Sequence, residues 1–527
     1  FKANPIVIEK LKEQKKLLSN GELFHSYPHS WRSKAPLVHR ATPQWFISME
    51  SHDLRKKALK ALDDTTFYPN KGRERIKAMI ETRPDWCVSR QRVWGVPLPI
   101  FVHKKTKKIL VDDEVNENIA NIYEKEGSDC WFSDNPQRFL GEKYKAKDYN
   151  KLSDIVEVWF DSGCTHSFVL EKREDLKWPA SMYLEGSDQH RGWFHSSLLE
   201  SCGTRGRAPY ESILSHGFVV DGKGHKMSKS LGNVIAPEDI LKKYGADILR
   251  IWVASSNYED DLRIDYSILE QHADSYRKIR NTFRYLLGNL NDKFESIDLN
   301  KLNLKELPEL EQYMLHKVFD LDKNFKNYFQ AYDFHNLYKE LLNFCTVDLS
   351  AFYFDIRKDT LYCDTKSSEK RKNCIIVLNI ILESLLKWFA PILSFTTEEI
   401  FTLVKKDKKS IHLENFIEIP KNFSNKILNE KWVELKKIRD ICNISIEAKR
   451  VSKEIGSSLE ANLTINLNEK LFKITENVDF SELCITSSAK VEKNNKEEVN
   501  IVTKKAEGNK CPVCWKINKN QCERHQI

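Results

Sequence analysis

The spacing of apolar residues in this chain changes near residue 266, and the change separates two kinds of predicted structure. Before it, short apolar runs at 155–161, 180–186 and 212–221 alternate with helical stretches at 192–202 and 236–256. Strands that alternate with helices favour a parallel sheet covered by helices. The sequence therefore predicts an α/β domain in its first half. Within it, residues 1–50 are interpreted as short strand-like runs, 51–80 as helical and basic, and 104–150 as a charged, irregular surface insertion.

Beyond residue 266 apolar side chains recur every three or four positions, and strand-like runs disappear. The stretch 273–290 has arginine and lysine between its apolar positions. This is the period of an amphipathic helix, and its repeated return predicts a helical bundle. Further stretches of this kind lie at 311–329, 332–350, 373–389 and 396–405. A long basic helix at 429–456 and a small α/β segment from residue 457 complete the prediction.

Size, charge and cysteine usage limit the class of protein. A chain of 527 residues is too long for a single core. Its net charge of +8 fits a polyanionic partner such as nucleic acid, although a lysine-rich surface explains the charge equally well. Most of the twelve cysteines stand singly, which is typical of reduced thiols. No apolar run approaches a membrane span, so we expect a cytoplasmic protein.

The string DGKGHKMSKSLGN, residues 221–233, follows a predicted strand and precedes a predicted helix. Open α/β folds bind ligands at this carboxyl edge of the sheet. Lys226 and Lys229 supply compact charges for phosphate oxygens, and hydroxyl donors come from Ser228 and Ser230. A basic, glycine-rich loop suits phosphoryl chemistry, which depends on positioning and charge stabilisation. A solvated basic turn explains the same composition.

The letters KMSKS match the signature of class I aminoacyl-tRNA synthetases, and other strings resemble the bacterial isoleucyl family. These strings are ATPQWFISM, RPDWCVSRQRVWGVPLPIF, VWFDSGCTHS, YLEGSDQHRGWF, GADILRIWVASS and CPVCW. The resemblance covers nearly the whole chain, and EGSDQHRGWF is a very specific part of it. Valyl and leucyl relatives share the signature loop, but their strings at the other positions differ.

The resemblance implies an α/β plus all-α chain. It implies the second half of a Rossmann-like catalytic domain, then a helical anticodon-binding bundle and a small zinc-binding tail. The implied boundaries are 1–45 for the exit of an editing domain, 46–150 for the return to the catalytic domain with a connective insertion, 151–265 for the second catalytic half with the signature loop, 266–415 for the anticodon-binding domain, 416–505 for a C-terminal helix and small α/β segment, and 506–527 for the tail.

The resemblance also implies an activity, isoleucine--tRNA ligase. Such an enzyme forms isoleucyl adenylate from isoleucine and ATP with Mg2+, and transfers the acyl group to tRNA(Ile). The family's signature lysines, matched by Lys226 and Lys229, stabilise the ATP phosphates and the departing pyrophosphate. The remaining ATP or adenylate contacts would be Glu185, Gly186, Asp188, Gln189, Ser228 and Ser230. Capping of the following helix is an alternative local role for Glu185 and Asp188.

Two tryptophans, Trp159 and Trp193, match the family's aromatic walls around the isoleucine side chain. Without the resemblance, both are interpreted as ordinary core residues. A rigid apolar pocket discriminates only weakly against a side chain that is one methylene smaller. The family therefore carries a separate editing domain.

One family motif is missing from this sequence: no His-x-Gly-His string occurs in it. The chain also starts without methionine, inside an amphipathic stretch, so we interpret it as a C-terminal fragment. We expect this fragment to be a monomer and to be inactive alone. Two alternatives remain open, a valyl-type synthetase and a tRNA-binding module without catalysis.

The segment from Cys511 onward carries two closely spaced pairs of metal-ligand residues, Cys511 with Cys514 and Cys522 with His525. Three thiols and an imidazole suit tetrahedral zinc. The isoleucyl family is similar but has four cysteines and a longer spacer, so His525 stands where its last cysteine would be. The pattern predicts one structural Zn2+, and the alternative is a frayed tail without metal.

Overall fold

The computed structural model describes residues 3–30, 33–290, 294–405, 409–494 and 499–526. The chain forms two compact units, each built from several segments. The first unit comprises Phe1–Lys60, Met79–Lys172 and Ser196–Arg207. The second comprises Ala61–Ala78, Arg173–His195 and Ala208–Ile527.

Helices make up most of the ordered structure. Their bounds are α1 (Ala3–Glu13), α2 (Leu54–Asp63), α3 (Lys71–Glu81), α4 (Asp113–Glu126), α5 (Cys130–Ser133), α6 (Pro136–Leu140), α7 (Val158–Gly163), α8 (Trp193–Arg205), α9 (Pro237–Tyr244), α10 (Ala246–Ser255), α11 (Tyr266–Leu290), α12 (Glu309–Gln330), α13 (Phe334–Asn343), α14 (Phe354–Cys363), α15 (Glu369–Phe389), α16 (Ser394–Val404), α17 (Lys426–Val451), α18 (Glu469–Ile474) and α19 (Phe480–Leu483). In the described part of the chain, no helix has the length and apolar character needed to cross a membrane.

The strands are short. Their bounds are β1 (Phe46–Ile47), β2 (Thr66–Tyr68), β3 (Trp86–Cys87), β4 (Ser89–Arg90), β5 (Phe101–His103), β6 (Tyr149–Lys151), β7 (Ile155–Val156), β8 (Tyr183–Gly186), β9 (Ser212–His216), β10 (Val219–Asp221), β11 (Leu262–Ile264), β12 (Ala461–Leu467), β13 (Ser488–Lys493), β14 (Asn500–Lys505), β15 (Asn509–Lys510) and β16 (Ile517–Asn518).

The first unit contains three antiparallel strand pairs, β1–β3, β4–β7 and β5–β6. Its segment 104–150, predicted to be irregular, has a hydrophobic core of its own that includes Phe101, Trp131 and Phe139. Helix α4 begins here because the Asp112 side chain accepts backbone hydrogen bonds in its first turn. The prediction of irregular structure was wrong because the apolar residues that form this core are few and lie among many charged residues.

Two further predictions for the first unit were right only in part. The apolar run 155–161 is a strand only over β7, and α7 begins at Val158. The buried Glu157 carboxylate separates the two elements and accepts a hydrogen bond from the Trp86 indole at 2.9 Å. Strand-like runs were expected in residues 1–50; β1 and the isolated bridge between His29 and Pro36 agree with this, but α1 is helical, and Trp31 and Arg32 lie outside the described residues.

The first unit also buries a carboxyl group. Glu200 on α8 is 8% exposed and lines a cavity of about 330 Å³ beside Cys164 and His166. Burial raises the pKa of Glu200 to about 8, and the nearby carboxylates of Glu157 and Asp161 add to this increase. The side chain is therefore mostly neutral at pH 7.

The second unit contains the predicted parallel sheet, in the order β2–β9–β8. Strand β2 was missed because its three residues lie inside a stretch, 51–80, that looks helical throughout. The run 212–221, predicted as one strand, is two strands in different sheets, because β10 pairs with β11. The break falls at Gly217, where a β-carbon would clash with the main-chain oxygen of Asp260.

The helical bundle of the second unit confirms the periodicity argument. Helices α11, α12, α15 and α16 lie where the sequence predicted them, and α17 covers most of 429–456. The predicted helix 332–350 begins as α13 and continues through a π-helical segment, Phe344–Tyr353, into α14. The predicted helix at 236–256 is divided into α9 and α10 at Gly245, whose φ is 86°.

A buried arginine joins several helices of this bundle. Arg357 on α14 is 2% exposed and donates to both carboxylate oxygens of Glu311 on α12, at 2.6 and 2.5 Å. It also donates to Glu482 on α19 at 2.7 Å, and Lys370 on α15 lies 2.6 Å from that carboxylate. Two cations thus balance two anions, which offsets the cost of removing these charges from water.

The last part of the second unit is a small α/β segment, as predicted. Strand β12 lies between β13, to which it runs parallel, and β14, to which it runs antiparallel. Alternate side chains of β12 are buried, as expected for a strand with one face on a core. The β15–β16 pair follows and carries the cysteine-rich tail.

Replacing Glu200 by glutamine should remove a pH dependence of stability. Glu200 has an ordinary pKa of 4.5 when unfolded and about 8 when folded. The folded state therefore binds more protons between these values, and stability falls as pH rises through them, by up to about 1.4 kcal/mol per pH unit. Thermal unfolding at pH 5 and pH 8 should show a larger loss in the wild type than in Glu200→Gln.

The exposed Glu142→Gln serves as the matched control and should behave like the wild type. Equal losses of stability in the wild type and Glu200→Gln would contradict this assignment.

Candidate active site and metal centre

The KMSKS loop connects β10 to α9, and Asp221 shapes its first half. The carboxylate of Asp221 accepts hydrogen bonds from the backbone N–H groups of Lys223 and His225, at 3.0 and 2.8 Å. Its own N–H donates to the carbonyl of His225 at 2.9 Å. These bonds close a tight turn in which Gly224 has a φ of 86°. The loop therefore has a defined backbone despite its glycines.

Asn233 closes the loop from its other end. Its side-chain amide donates to the Asp221 carboxylate at 2.9 Å and to the Lys226 carbonyl at 3.3 Å. Its side-chain oxygen accepts from the Ser228 N–H at 2.9 Å. The hydrogen bond from Asn233, together with those in the turn, holds the pKa of Asp221 below its ordinary value. The sequence analysis assigned no role to Asp221 or Asn233. Their side chains commonly bond the backbone of turns, and their positions at the two ends of a glycine-rich loop could have indicated this role.

The two signature lysines are left free by this arrangement. Lys226 and Lys229 are exposed, and neither ammonium group makes an ion pair within the described residues. The Ser228 hydroxyl accepts the Leu231 N–H at 3.3 Å and lies 3.1 Å from the Ser230 hydroxyl. In this structure the serines organise the loop, while the lysines present unneutralised charge.

The predicted adenylate contacts lie at the carboxyl end of β8. Glu185 is exposed there, and its carboxylate accepts the N–H of Gly186 at 2.9 Å. Gln189 accepts the Trp193 N–H at 2.8 Å at the start of α8. Its amide donates to Asp188 at 3.2 Å. Gln189 thus caps this helix, whereas the Glu185 carboxylate bonds the adjacent Gly186 and the Asp188 carboxylate bonds Gln189.

The sheet connects this group of residues to the KMSKS loop. Gly186 at the end of β8 pairs with His216 at the end of the adjacent parallel strand β9. Three residues after His216, at Val219, the chain enters β10, which leads directly into the loop. The adenylate group therefore follows β8 of the parallel sheet, whereas the KMSKS loop follows β10, which pairs with β11 in a separate sheet.

The two predicted pocket tryptophans differ in their surroundings. Trp193 stacks on Tyr183, with the ring centroids 4.0 Å apart and the planes 6° from parallel. Trp159 belongs to the first unit, on α7, and is 41% exposed. An exposed aromatic ring of this size is unusual for a core residue, so the simple core interpretation does not hold for Trp159.

The predicted metal ligands come together in the tail. The thiols of Cys511, Cys514 and Cys522 and a ring nitrogen of His525 all lie within 4.8 Å of one another. The His525 Nδ1 is 3.5 Å from two of the sulfurs, and the Cys514 and Cys522 sulfurs are 3.9 Å apart. Around tetrahedral zinc these separations would be about 3.6 Å for nitrogen to sulfur and about 3.8 Å for sulfur to sulfur. The four residues therefore fit such an ion.

The electrostatics of the cluster also suit a metal. Burial by itself raises the pKa of the Cys511 thiol, but hydrogen bonds from the N–H groups of Cys514 and Val513 and from neighbouring thiols outweigh it. The resulting pKa is about 6. Burial and hydrogen bonds with the neighbouring thiols raise the pKa of Cys514 to about 12, so the cluster favours the thiolate, the form that binds metal, at Cys511 over Cys514.

Comparison with known families matches both parts of the chain. Residues 9–265 match the family described as tRNA synthetases class I (I, L, M and V). Residues 311–465 match the family described as the anticodon-binding domain of tRNA ligase. The first match includes the KMSKS loop, and the second includes most of the helical bundle.

Two curated relatives that match nearly the whole chain are named isoleucine--tRNA ligase. The chain is 84% identical over its whole length to the isoleucine--tRNA ligase of Pelagibacter ubique (strain HTCC1062), of which the match covers 58%. It is 47% identical, over 98% of its length, to the isoleucine--tRNA ligase of Brucella abortus biovar 1 (strain 9-941), of which the match covers 54%. The chain thus spans somewhat more than half the length of these relatives.

A solved structure shows the same fold. The crystal structure of Mycobacterium tuberculosis methionyl-tRNA synthetase bound by methionyl-adenylate matches at 15% identity and a TM-score of 0.51, over 72% of this chain and 67% of that one. The two family matches together span well over half of the chain. Residues 9–265 therefore belong to the class I tRNA synthetases and residues 311–465 to the anticodon-binding domains of tRNA ligases, and the similar full-length proteins are named isoleucine--tRNA ligases.

Proposed function

We propose that this chain is part of an isoleucine--tRNA ligase, which activates isoleucine with ATP and transfers it to tRNA(Ile). The observation that carries the proposal is the KMSKS loop. Asp221 and Asn233 hold it in shape, while the ammonium groups of Lys226 and Lys229 form no ion pair with any described residue. The choice of isoleucine rests on the name of the relatives that are 84% and 47% identical.

The first step is attack of an isoleucine carboxylate oxygen on the α-phosphorus of ATP. The carboxylate oxygen forms a new bond to the α-phosphorus. The bond between this phosphorus and the oxygen that bridges to the β-phosphate breaks, and pyrophosphate leaves with Mg2+. Negative charge grows on the departing phosphates. Lys226 and Lys229 would stabilise that charge, and their free ammonium groups need not break an existing ion pair to do so.

The residues at the end of β8 would hold the adenylate. The exposed Glu185 carboxylate suits the ribose hydroxyl groups, and Gly186 lets the ligand approach the backbone. Asp188 and Gln189 would orient polar groups of the aminoacyl part. Trp159 and Trp193 are proposed as walls around the isoleucine side chain, following the family pattern.

The helical bundle would carry tRNA through charges that remain unpaired. Most basic side chains of α17 are already paired with carboxylates: Lys431 with Glu309, Lys436 with Asp348, Lys437 with Glu434, Arg439 with Asp355, Lys449 with Glu454 and Arg450 with Glu447. On α11, Lys278 and Arg284 are exposed, and they form no ion pair among the residues that the structure describes. We propose that α11 offers more free charge to phosphates than α17 does.

Zn2+ is proposed as a structural ion held by Cys511, Cys514, Cys522 and His525. When bound, it would cross-link the tail and take no part in the reaction. The twelve cysteines form no disulfide, which supports a reducing compartment such as the cytoplasm. We also propose that the protein acts as a monomer.

Replacing Lys229 by alanine should reduce adenylate formation much more than tRNA binding. Loss of one charge contact to a transition state costs about 2.7–4 kcal/mol, or about 100- to 1000-fold in rate. The assay is isoleucine-dependent ATP–pyrophosphate exchange by this chain joined to the upstream portion of the Pelagibacter ubique relative. Filter binding of tRNA(Ile) to the same proteins provides the second measurement.

The matched control is Lys223→Ala, an exposed lysine of the same loop outside the signature. The chain alone should give no exchange, since it has no His-x-Gly-His string. Equal losses of exchange and tRNA binding in Lys229→Ala would argue against the phosphate role. Valine-dependent exchange would instead support the valyl alternative, and tRNA binding without any exchange in the joined protein would support the non-catalytic one.

Replacing Asn233 by alanine should lower the exchange rate about tenfold or more in the same joined protein. Three hydrogen bonds of the loop would be lost, each contributing roughly 0.5–1.5 kcal/mol. The control is Asn300→Ala, an exposed asparagine outside the site. An unchanged exchange rate in Asn233→Ala would show that the loop needs no such closure.

The purified chain should bind one zinc ion, measured by elemental analysis under reducing conditions without chelator. Cys511→Ser should abolish this binding, because it removes a buried thiolate, and His525→Ala should only weaken it. Cys87→Ser, which removes a thiol outside the cluster, is the control. A zinc content near zero in the wild type would leave the tail without a metal role.

A further inference from the structure

The last turn of α14 lies against the metal-binding tail. The Cys363 carbonyl, at the end of this helix, is 3.1 Å from Nε2 of His525. The Cys363 thiol is 3.6 Å from the carbonyl oxygen of Val513, which lies between the first two ligand cysteines. One residue of the bundle thus contacts both halves of the ligand cluster.

The contact to His525 determines which ring nitrogen can bind a metal. A carbonyl accepts hydrogen bonds, so Nε2 must carry the proton and donate to Cys363. The unprotonated nitrogen is then Nδ1, which lies 3.5 Å from the sulfurs of Cys511 and Cys522. Such an outer hydrogen bond is the usual device for orienting a histidine ligand.

A second contact anchors the backbone that carries His525. Arg524, the preceding residue, forms ion pairs with Asp359 on α14 and with Asp364 just beyond it. It also donates to the Asp359 carbonyl at 3.1 Å. All three side chains are at least partly buried, so these ion pairs are less screened than surface pairs. The Arg524 guanidinium is therefore held by two carboxylates and by one backbone carbonyl.

We propose that the last turn of α14 is a docking site that holds His525 in its metal-binding orientation. Metal binding and attachment of the tail to the helical bundle are then coupled. Asp359 and Asp364 are positioning residues, which act through Arg524 and do not touch the metal. This inference rests on the zinc site proposed above.

The test uses the full chain and the paired substitution Asp359→Asn with Asp364→Asn, which keeps all four ligands. Zinc affinity, measured by competition with a chelator, should fall 10- to 100-fold. In the Co2+-loaded protein, the absorption spectrum should shift toward that of His525→Ala, while the bands from thiolate ligation persist. Arg524→Gln removes the same anchor without altering the helix, and it should have the same effect.

Asp355→Asn is the matched control, because this carboxylate of α14 pairs with Lys358 and Arg439 instead. It should leave both the affinity and the spectrum unchanged. Adding the paired substitution to His525→Ala should cause no further loss, since the docking site acts through that ligand.

Three outcomes would overturn the inference. Wild-type affinity in the paired variant would show that the anchor is unnecessary. A further tenfold loss in the His525→Ala background would show that the helix acts on the tail in general and not on this ligand. A wild-type chain that binds no metal would remove the zinc site itself, whereas the first two outcomes leave that site standing.

Discussion

The buried cluster around Arg357 is the interaction on which much of the second unit depends. A guanidinium with 2% exposure requires partners, and Glu311 and Glu482 supply them from α12 and α19. Breaking such a pair leaves an uncompensated buried charge, which costs about 3–5 kcal/mol. The cluster therefore fixes α14 between helices that are far apart in sequence. The same helix presents its last turn to the metal-binding tail, so the position of the tail depends on this arginine.

The KMSKS loop follows a different principle. Its backbone is closed by short-range hydrogen bonds between Asp221, Asn233 and the residues between them, while the ammonium groups of Lys226 and Lys229 make no ion pair in the part of the chain that the structure describes. A loop with paired lysines would have to break those ion pairs in order to bind the proposed phosphate ligand. A loop without closure would have to order its glycines at the same moment. This arrangement avoids both costs, as preorganised sites for charged ligands do.

Periodicity predicted the bundle helices well because a helix of five or more turns carries several repeats of its pattern. Short elements gave no such redundancy. The run 212–221 looks like one strand, yet Gly217 ends it because the backbone of Asp260 passes too close for a side chain. The run 155–161 has the composition of a strand, but α7 begins at Val158, directly after Glu157, whose buried carboxylate accepts a hydrogen bond from the Trp86 indole. Both breaks lie at contacts with residues distant in sequence.

The sequence by itself determined the family pattern, the KMSKS loop and the four metal ligands, since each is encoded by residues within a few positions of one another. Tertiary structure alone decided the neutral state of Glu200, the exposure of Trp159 and the contact between Cys363 and His525. The physical reason is the range of the interactions. Local spacing fixes which groups a short segment presents, whereas burial and orientation depend on partners that only folding brings near.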